Sequence, residues 1–247
     1  VTARELAPAE VDRLVRARGG IDAVIDPVSL AVAVGSLHAA GVDPFFGFDA
    51  GAGTAEGGRG VARIWAGGLS LPGREPYLAD DERSARLREA LRAHVERMFA
   101  LSGVAPADAR RVAGDVLSVE SSLARGHPPG GAVAENGGAC SRLDVAGLLE
   151  TAPRFPWRRF LVAVGSPDSE RFDVSSLRVV ERLDFIVAGS RPELLRSYLR
   201  WKVLEALAEG RALPRSSVDE RRAFTSRWGG GRSPSVRPPT AAPCDVR

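Results

Sequence analysis

Apolar side chains recur along this chain mostly at spacings of three and four, the signature of helices that bury one face. Leu87, Leu91, Val95 and Met98 form the clearest stripe, opened by Asp80-Asp81 and closed by Gly103. Acidic residues suit the positive end of a helix dipole, and glycine suits the turn that ends it. A second stripe, Val112, Val116, Val119 and Leu123, follows Pro106 and stops at Gly126. Together they predict two antiparallel helices joined by a short loop. Helical spacing also predicts a stretch through Leu6, Val11, Leu14 and Val15 and another through Val28, Leu30, Val34 and Leu37. Gly19-Gly20 and Asp26-Pro27 supply the stop and the start between them. Three more helices are predicted: over 143–149, over 174–186, and from Pro192 through Leu195, Tyr198, Trp201 and Leu204.

The period changes at Gly41-Val42-Asp43-Pro44. Phe45-Phe46-Gly47-Phe48 and the run from Val61 to Trp65 are short and aromatic or β-branched, which predicts two strands joined by a mobile glycine-rich loop over 51–60. Glycine and proline mark 126–140 as a loop, and punctuate 229–247 so heavily that a disordered tail is expected. The predicted fold is mainly α: a multi-helix domain over 1–228 with one small β-hairpin, then the tail.

With 247 residues, 44% hydrophobic and 26% charged, the chain can bury a core without disulfide or metal staples. It holds no apolar run of the roughly 18 residues that a membrane span needs. Nor does Val1 to Glu10 show the basic start and apolar run of a signal peptide. Collagen, coiled coil, membrane channel and cysteine-stapled toxin are excluded. The 34 basic residues exceed the 31 acidic ones by only three, and Lys202 is the sole lysine. Acids interleave with arginines, as in Asp80-Asp81-Glu82-Arg83, which predicts a solvated mixed-charge surface and no nucleic-acid partner.

Candidate chemistry is sparse. A helical zinc site wants two histidines four residues apart, and His38, His94 and His127 each lack such a partner, so isolated core or surface histidines are expected. Cys140 and Cys244 have no Cys-x-x-Cys partner and no adjacent histidine, which predicts untuned free thiols. Gly51-Ala52-Gly53-Thr54-Ala55-Glu56 misses the dinucleotide fingerprint: Glu56 stands in its last glycine position, and a strand rather than a helix follows. Gly-x-Ser-x-Gly is absent. No catalytic, cofactor-binding or metal-binding residue is nominated.

One string is specific. Gly67-Gly68-Leu69-Ser70-Leu71-Pro72-Gly73-Arg74-Glu75-Pro76-Tyr77-Leu78 resembles the Gly-Gly-Leu-x-Leu-Pro-x-Arg-x-Tyr-Tyr-Leu segment of the neprilysin and endothelin-converting-enzyme family of zinc metalloendopeptidases. Further likenesses follow in the family's order. They run from Leu37-His38-Ala39-Ala40-Gly41-Val42-Asp43-Pro44-Phe45-Phe46 through His94 to Gly103 and Phe155-Pro156-Trp157. Tyr198-Leu199-Arg200-Trp201 and Val218-Asp219-Glu220 to Phe224 complete them. The departures are as informative. Pro76 stands where the family commonly has an aromatic residue, and past Trp228 the likeness stops. The family's His-Glu-x-x-His, its downstream Glu-x-x-x-Asp and its Asn-Ala-x-Tyr have no counterpart.

The resemblance therefore implies the family's noncatalytic N-terminal domain, largely helical, which controls the access of small peptides to a closed chamber. It implies a fragment that begins inside that domain and is inert alone, its truncation either biological or the product of an incomplete or frame-shifted gene, the latter favoured by the composition of the tail. Zinc is expected only in the absent catalytic domain, and oligopeptide substrates only through it. For a full-length member the resemblance implies the cell envelope or the extracellular space. The alternative is a free-standing helical module that binds a peptide or a protein partner without enzymatic activity. Leu87, Leu91, Val95, Met98, Tyr198 and Trp201 are expected to be core, and the Tyr77 region is expected to hold the fold together rather than touch substrate.

Overall fold

The computed structural model describes residues 18–51, 61–129, 140–210 and 212–228. After a 3-10 turn at Arg18–Ala23, helix α1 (Pro27–Ala39) opens on a reciprocal cap. The Asp26 carboxylate accepts from the Ser29 N–H while the Ser29 hydroxyl receives the Asp26 N–H. The two strongest sequence stripes become α3 (Glu82–Leu101) and α4 (Pro106–Ala124), packed side by side. Asp81 caps α3 through the Ser84 N–H, and Pro106 takes the first turn of α4, where no N–H partner is needed. The remaining helices are α2 (Glu75–Leu78), α5 (Val145–Thr151), α6 (Trp157–Ala163), α7 (Leu177–Gly189), α8 (Pro192–Glu209) and α9 (Arg215–Thr225).

The expected hairpin is β1 (Phe46–Asp49) with β2 (Ala62–Ala66), antiparallel with Phe46 opposite Ala66. It is the edge of a larger sheet. Strand β4 (Arg171–Val174) lies parallel to β2 with Val174 opposite Ile64, and β3 (Ser141–Asp144) closes the order β1-β2-β4-β3. Two helical expectations are corrected here. The stretch read as helix over 143–149 begins as β3 and turns helical only at Val145, and the stretch read from 174 is β4 first, with its helix starting at Leu177. Four-residue strands carry too little local period to be told from a helix edge, and a parallel pairing is decided across the long crossover it needs.

One core runs through both layers. Phe46, Phe155, Trp157 and Phe160 pack at tilted and edge-on angles between the sheet and α6, with Phe155 and Trp157 ring centroids 4.8 Å apart. Leu91, Val95 and Met98 of α3 and Tyr198 and Trp201 of α8 are buried as expected, while Leu87 is half-buried against them. The predicted helix at Leu6 to Val15, nearly all of the 51–60 loop and the 229–247 tail lie outside the described residues. Among the described residues no helix is long and apolar enough to cross a membrane.

Candidate functional site

The segment Gly67 to Leu78 folds back on itself and is tied to α4 and α8 by a buried polar knot. Gly67 and Gly68 follow β2 directly, and Gly68 sits at φ +82°, where a Cβ would lie 2.5 Å from the Tyr198 hydroxyl. Only glycine meets both conditions. The Tyr198 hydroxyl donates to the Gly68 carbonyl at 2.9 Å and accepts from the Phe45 N–H at 3.1 Å. Phe45 itself is held at φ +64°, an uncommon conformation for a bulky residue, and its fully buried ring lies 4.8 Å from the Tyr198 ring. Thus one phenol from α8 fixes both chains that flank the sheet edge.

A second phenol does the same for the next residues. The Tyr77 hydroxyl accepts from the Ser70 and Leu71 N–H groups at 3.2 and 2.9 Å and donates to the Glu120 carboxylate at 2.5 Å. Glu120, wholly buried on α4, also accepts from the Ser70 N–H and hydroxyl at 3.1 and 2.7 Å. Trp201 completes the knot by donating its indole N–H to the Ser70 hydroxyl at 2.8 Å. Burial pushes the Glu120 carboxyl above its ordinary range; Lys202 nearby acts against that, and so do the hydrogen bonds from Tyr77 and Ser70. Tyr77 and Tyr198 are both pushed well up by burial and by the Glu120 charge. On the outer side, Arg74 donates to the His127 carbonyl at 2.9 Å, and His127 Nε2 lies 3.0 Å from the Gly67 carbonyl. Every polar atom of this motif named here already has a protein partner.

A turn further along α8, charge replaces hydroxyls. Lys202 donates to the Glu205 carboxylate at 2.5 Å, and Arg221 of α9 reaches the same carboxylate at 3.5 Å and Glu209 at 3.4 Å. Beyond it Glu220 accepts from Arg97 and stands 2.9 Å from His94 Nδ1, whose ring stacks on Phe224 at 4.1 Å. Burial opposes the charge on Glu205, yet Lys202 and Arg221 hold its carboxyl below the ordinary range. Burial also pushes the His94 pKa down, against the pull of Glu220. The α3–α9 seam opens beside this cluster into a hollow of about 590 Å³ lined by Arg97, Ala100, Leu101, Ser216, Asp219, Glu220 and Ala223.

The three histidines stay apart from one another in their partnerships. His38 faces the Val34 and Phe46 carbonyls, both at 2.9 Å; His94 has Glu220; His127 has Gly67. All three are buried. Among the described residues no three His, Cys, Asp or Glu side chains gather as metal ligands would. The expectation of free thiols is corrected at Cys140, which is disulfide-bonded. Local spacing rules see only neighbouring cysteines, whereas a disulfide is decided by which segments meet in space; Cys244 lies outside the described residues. The sequence reading missed Glu120, Lys202 and Glu205 as a buried polar set. The signal for Glu120 was present: it stands four residues after Val116 and three before Leu123, inside the apolar stripe.

The model of peptidase family M13 matches residues 2–240 of the chain. The chain belongs to peptidase family M13. It is the N-terminal domain of a neprilysin-like metallopeptidase. The match runs past Trp228, so the likeness does not stop there, as the residue-by-residue reading had it. Human endothelin-converting enzyme-like 1 is 30% identical over 162 residues, 61% of this chain and 20% of that protein. The mouse protein is 29% identical over 167 residues, 63% of this chain and 20% of its own length. The zinc metalloprotease ZMP1 of Mycobacterium tuberculosis, in its open state, superposes with a TM-score of 0.76 at 25% identity, over 91% of this chain and 34% of that one. PepO of Lactobacillus rhamnosis, at 13% identity and a TM-score of 0.64 over 91% of this chain and 36% of its own, shares the fold. The chain spans about a fifth of the length of the curated relatives it matches.

Proposed function

We propose that this domain is the noncatalytic, substrate-access part of a zinc metalloendopeptidase that cuts small peptides, with the zinc ligands and the general base on residues other than these 247. The observation that supports this reading is the fate of the family's most specific segment. Ser70 and Tyr77 are 4% and 5% exposed, and their polar atoms are engaged by Glu120 and Trp201. What the likeness preserves here is packing. A wall built this way resists deformation, and a rigid wall can admit a short peptide and turn away a folded protein without contributing a reacting group. None of the described residues makes a set fit to hold the family's zinc, so no zinc-dependent step is assigned to this chain.

Two measurements test the reading. The purified chain mixed with a fluorogenic peptide is expected to give no chelator-sensitive hydrolysis; such hydrolysis overturns the noncatalytic assignment. The Mycobacterium tuberculosis metalloprotease, carrying this chain in place of its matching segment, is expected to cleave a short peptide but not the same sequence within a folded protein. Equal cleavage of both overturns the access role.

A further inference from the structure

Where the end of α4 meets the start of α7, three arginines line one hollow. Arg125, Arg178 and Arg182, with Glu181 and Phe185, line a cavity of about 360 Å³. Gly126 makes the close approach possible: a Cβ there would lie 2.7 Å from the Arg178 carbonyl oxygen and 2.9 Å from the Arg182 Cβ, so a larger residue would pry the two helices apart. None of the three arginines forms an ion pair among the described residues, unlike Arg142 with Asp173 and Arg154 with Asp184. The arrangement also runs against local stability. Arg178 and Arg182 are like charges four residues apart on one helix face, and Arg178 adds a cation to the first turn of α7, which contains no acidic residue. Phe185, one turn beyond, is 62% exposed with the Arg182 guanidinium 4.8 Å over its ring.

Local rules broken without an evident structural gain mark sites kept for another purpose. We propose that this hollow binds an acidic segment of a peptide, with one or two carboxylates held by the arginine forks and an adjoining apolar side chain resting on Phe185. Guanidinium matches carboxylate in a planar, two-bonded geometry, and arginine with an exposed aromatic is the composition of a binding surface. The Glu181 carboxylate, which lines the same hollow, is expected to disfavour doubly charged phosphate monoesters more than singly charged carboxylates. The inference does not depend on the access-wall reading, since an acidic peptide can be held here whether or not this face looks onto a chamber.

The test is fluorescence anisotropy of a fluorescein-labelled octapeptide of alternating glutamate and leucine, titrated with the full chain at low salt. Binding is expected, its glutamine counterpart is expected not to bind, and the double variant Arg178→Glu/Arg182→Glu should weaken binding by at least about tenfold. Arg215→Glu, a single charge reversal on an exposed part of α9, should change it by less than about twofold. Melting of Arg178→Glu alone should rise by about 1–3 °C, because an acid replaces a cation at the helix start. Should the double variant fail to fold, Arg125→Gln supplies the same comparison with an expected weakening of about threefold. Equal binding of the glutamine peptide, no binding at all, undiminished binding by the variants, or a lowered melting temperature for Arg178→Glu would overturn the proposal. Tighter binding of an oligonucleotide of equal charge would overturn it in favour of a phosphate site.

Discussion

Glu120 and Glu205 are two interior carboxyls that share a neighbour, Lys202, and their pKa values move in opposite directions. Around Glu120 the direct contacts are two hydroxyls and one backbone N–H, with the cation at a distance, and burial wins: its pKa is raised. Around Glu205 the ammonium group of Lys202 touches the carboxylate and Arg221 stands close behind, and the cations win over burial: its pKa is lowered. Burial by itself therefore does not decide which way an interior acid's pKa moves. The nearest donors do, by carrying or lacking a full charge. The knot at Glu120 fixes the Gly67 to Leu78 segment without an ion pair, while the cluster at Glu205 clamps α8 to α9 with several.

The harshest way to break this contrast is to remove the shared cation. Lys202→Met keeps most of the volume but leaves Glu205 short of its main partner, and a loss of about 3–5 kcal/mol is expected by urea denaturation at neutral pH. A smaller effect should come from Tyr77→Phe, which strands the Leu71 N–H and takes one of two donors from a Glu120 oxygen that the Ser70 N–H still reaches; about 1–3 kcal/mol is expected from the same measurement.

The two acids can next be told apart by pH. The Glu205 pKa is depressed on folding, so its contribution is present above the unfolded value near 4.5 and is lost as pH falls through the folded one. The Glu120 pKa is raised, so its contribution is full below that unfolded value and is lost as pH rises through the folded one. Denaturation series from acid to neutral pH should therefore show Glu120→Gln gaining on the parent chain as pH rises, and Glu205→Gln losing ground. Parallel profiles for the two variants would remove the distinction.

His94 sharpens the same point on the imidazole side. Its folded pKa is lowered, first by burial, so the stability of the fold should begin to fall as pH drops below the unfolded value of about 6.5. His127 shifts the same way for the same cause, so His94→Phe should flatten only part of that slope in thermal melts across this range. The smallest effect belongs to the solvated surface. Arg86 and Glu82 pair one turn apart on α3 with both side chains largely in water, and Arg86→Ala should shift the melting curve hardly at all.

The helices that carry a long apolar stripe, α3, α4 and α8, were readable because the period that marks them is a property of consecutive residues. Capping at Asp81 and the stop at Gly103 were readable for the same reason. The hairpin at Phe46 was readable from its aromatic run, but β3 and β4 were not, since four residues carry almost no period and their partners lie far away in sequence. Within the candidate site, Gly67 to Leu78 stood out as a string, the Tyr77 region as a holder of the fold, and Tyr198 and Trp201 as core. That they meet at Ser70 and Glu120 did not.

By itself, then, the sequence determined the helical class, the strongest helices with their ends, and the family, because those depend on local periodicity and on the order of short strings. The fold adds that Glu120 is held by hydroxyls and Glu205 by cations, that Cys140 is disulfide-bonded, and that three arginines with no ion pair among the described residues share one hollow. Each of those outcomes is set by which distant segments are brought within a few ångströms, where desolvation and charge act over distances that no spacing along the chain records.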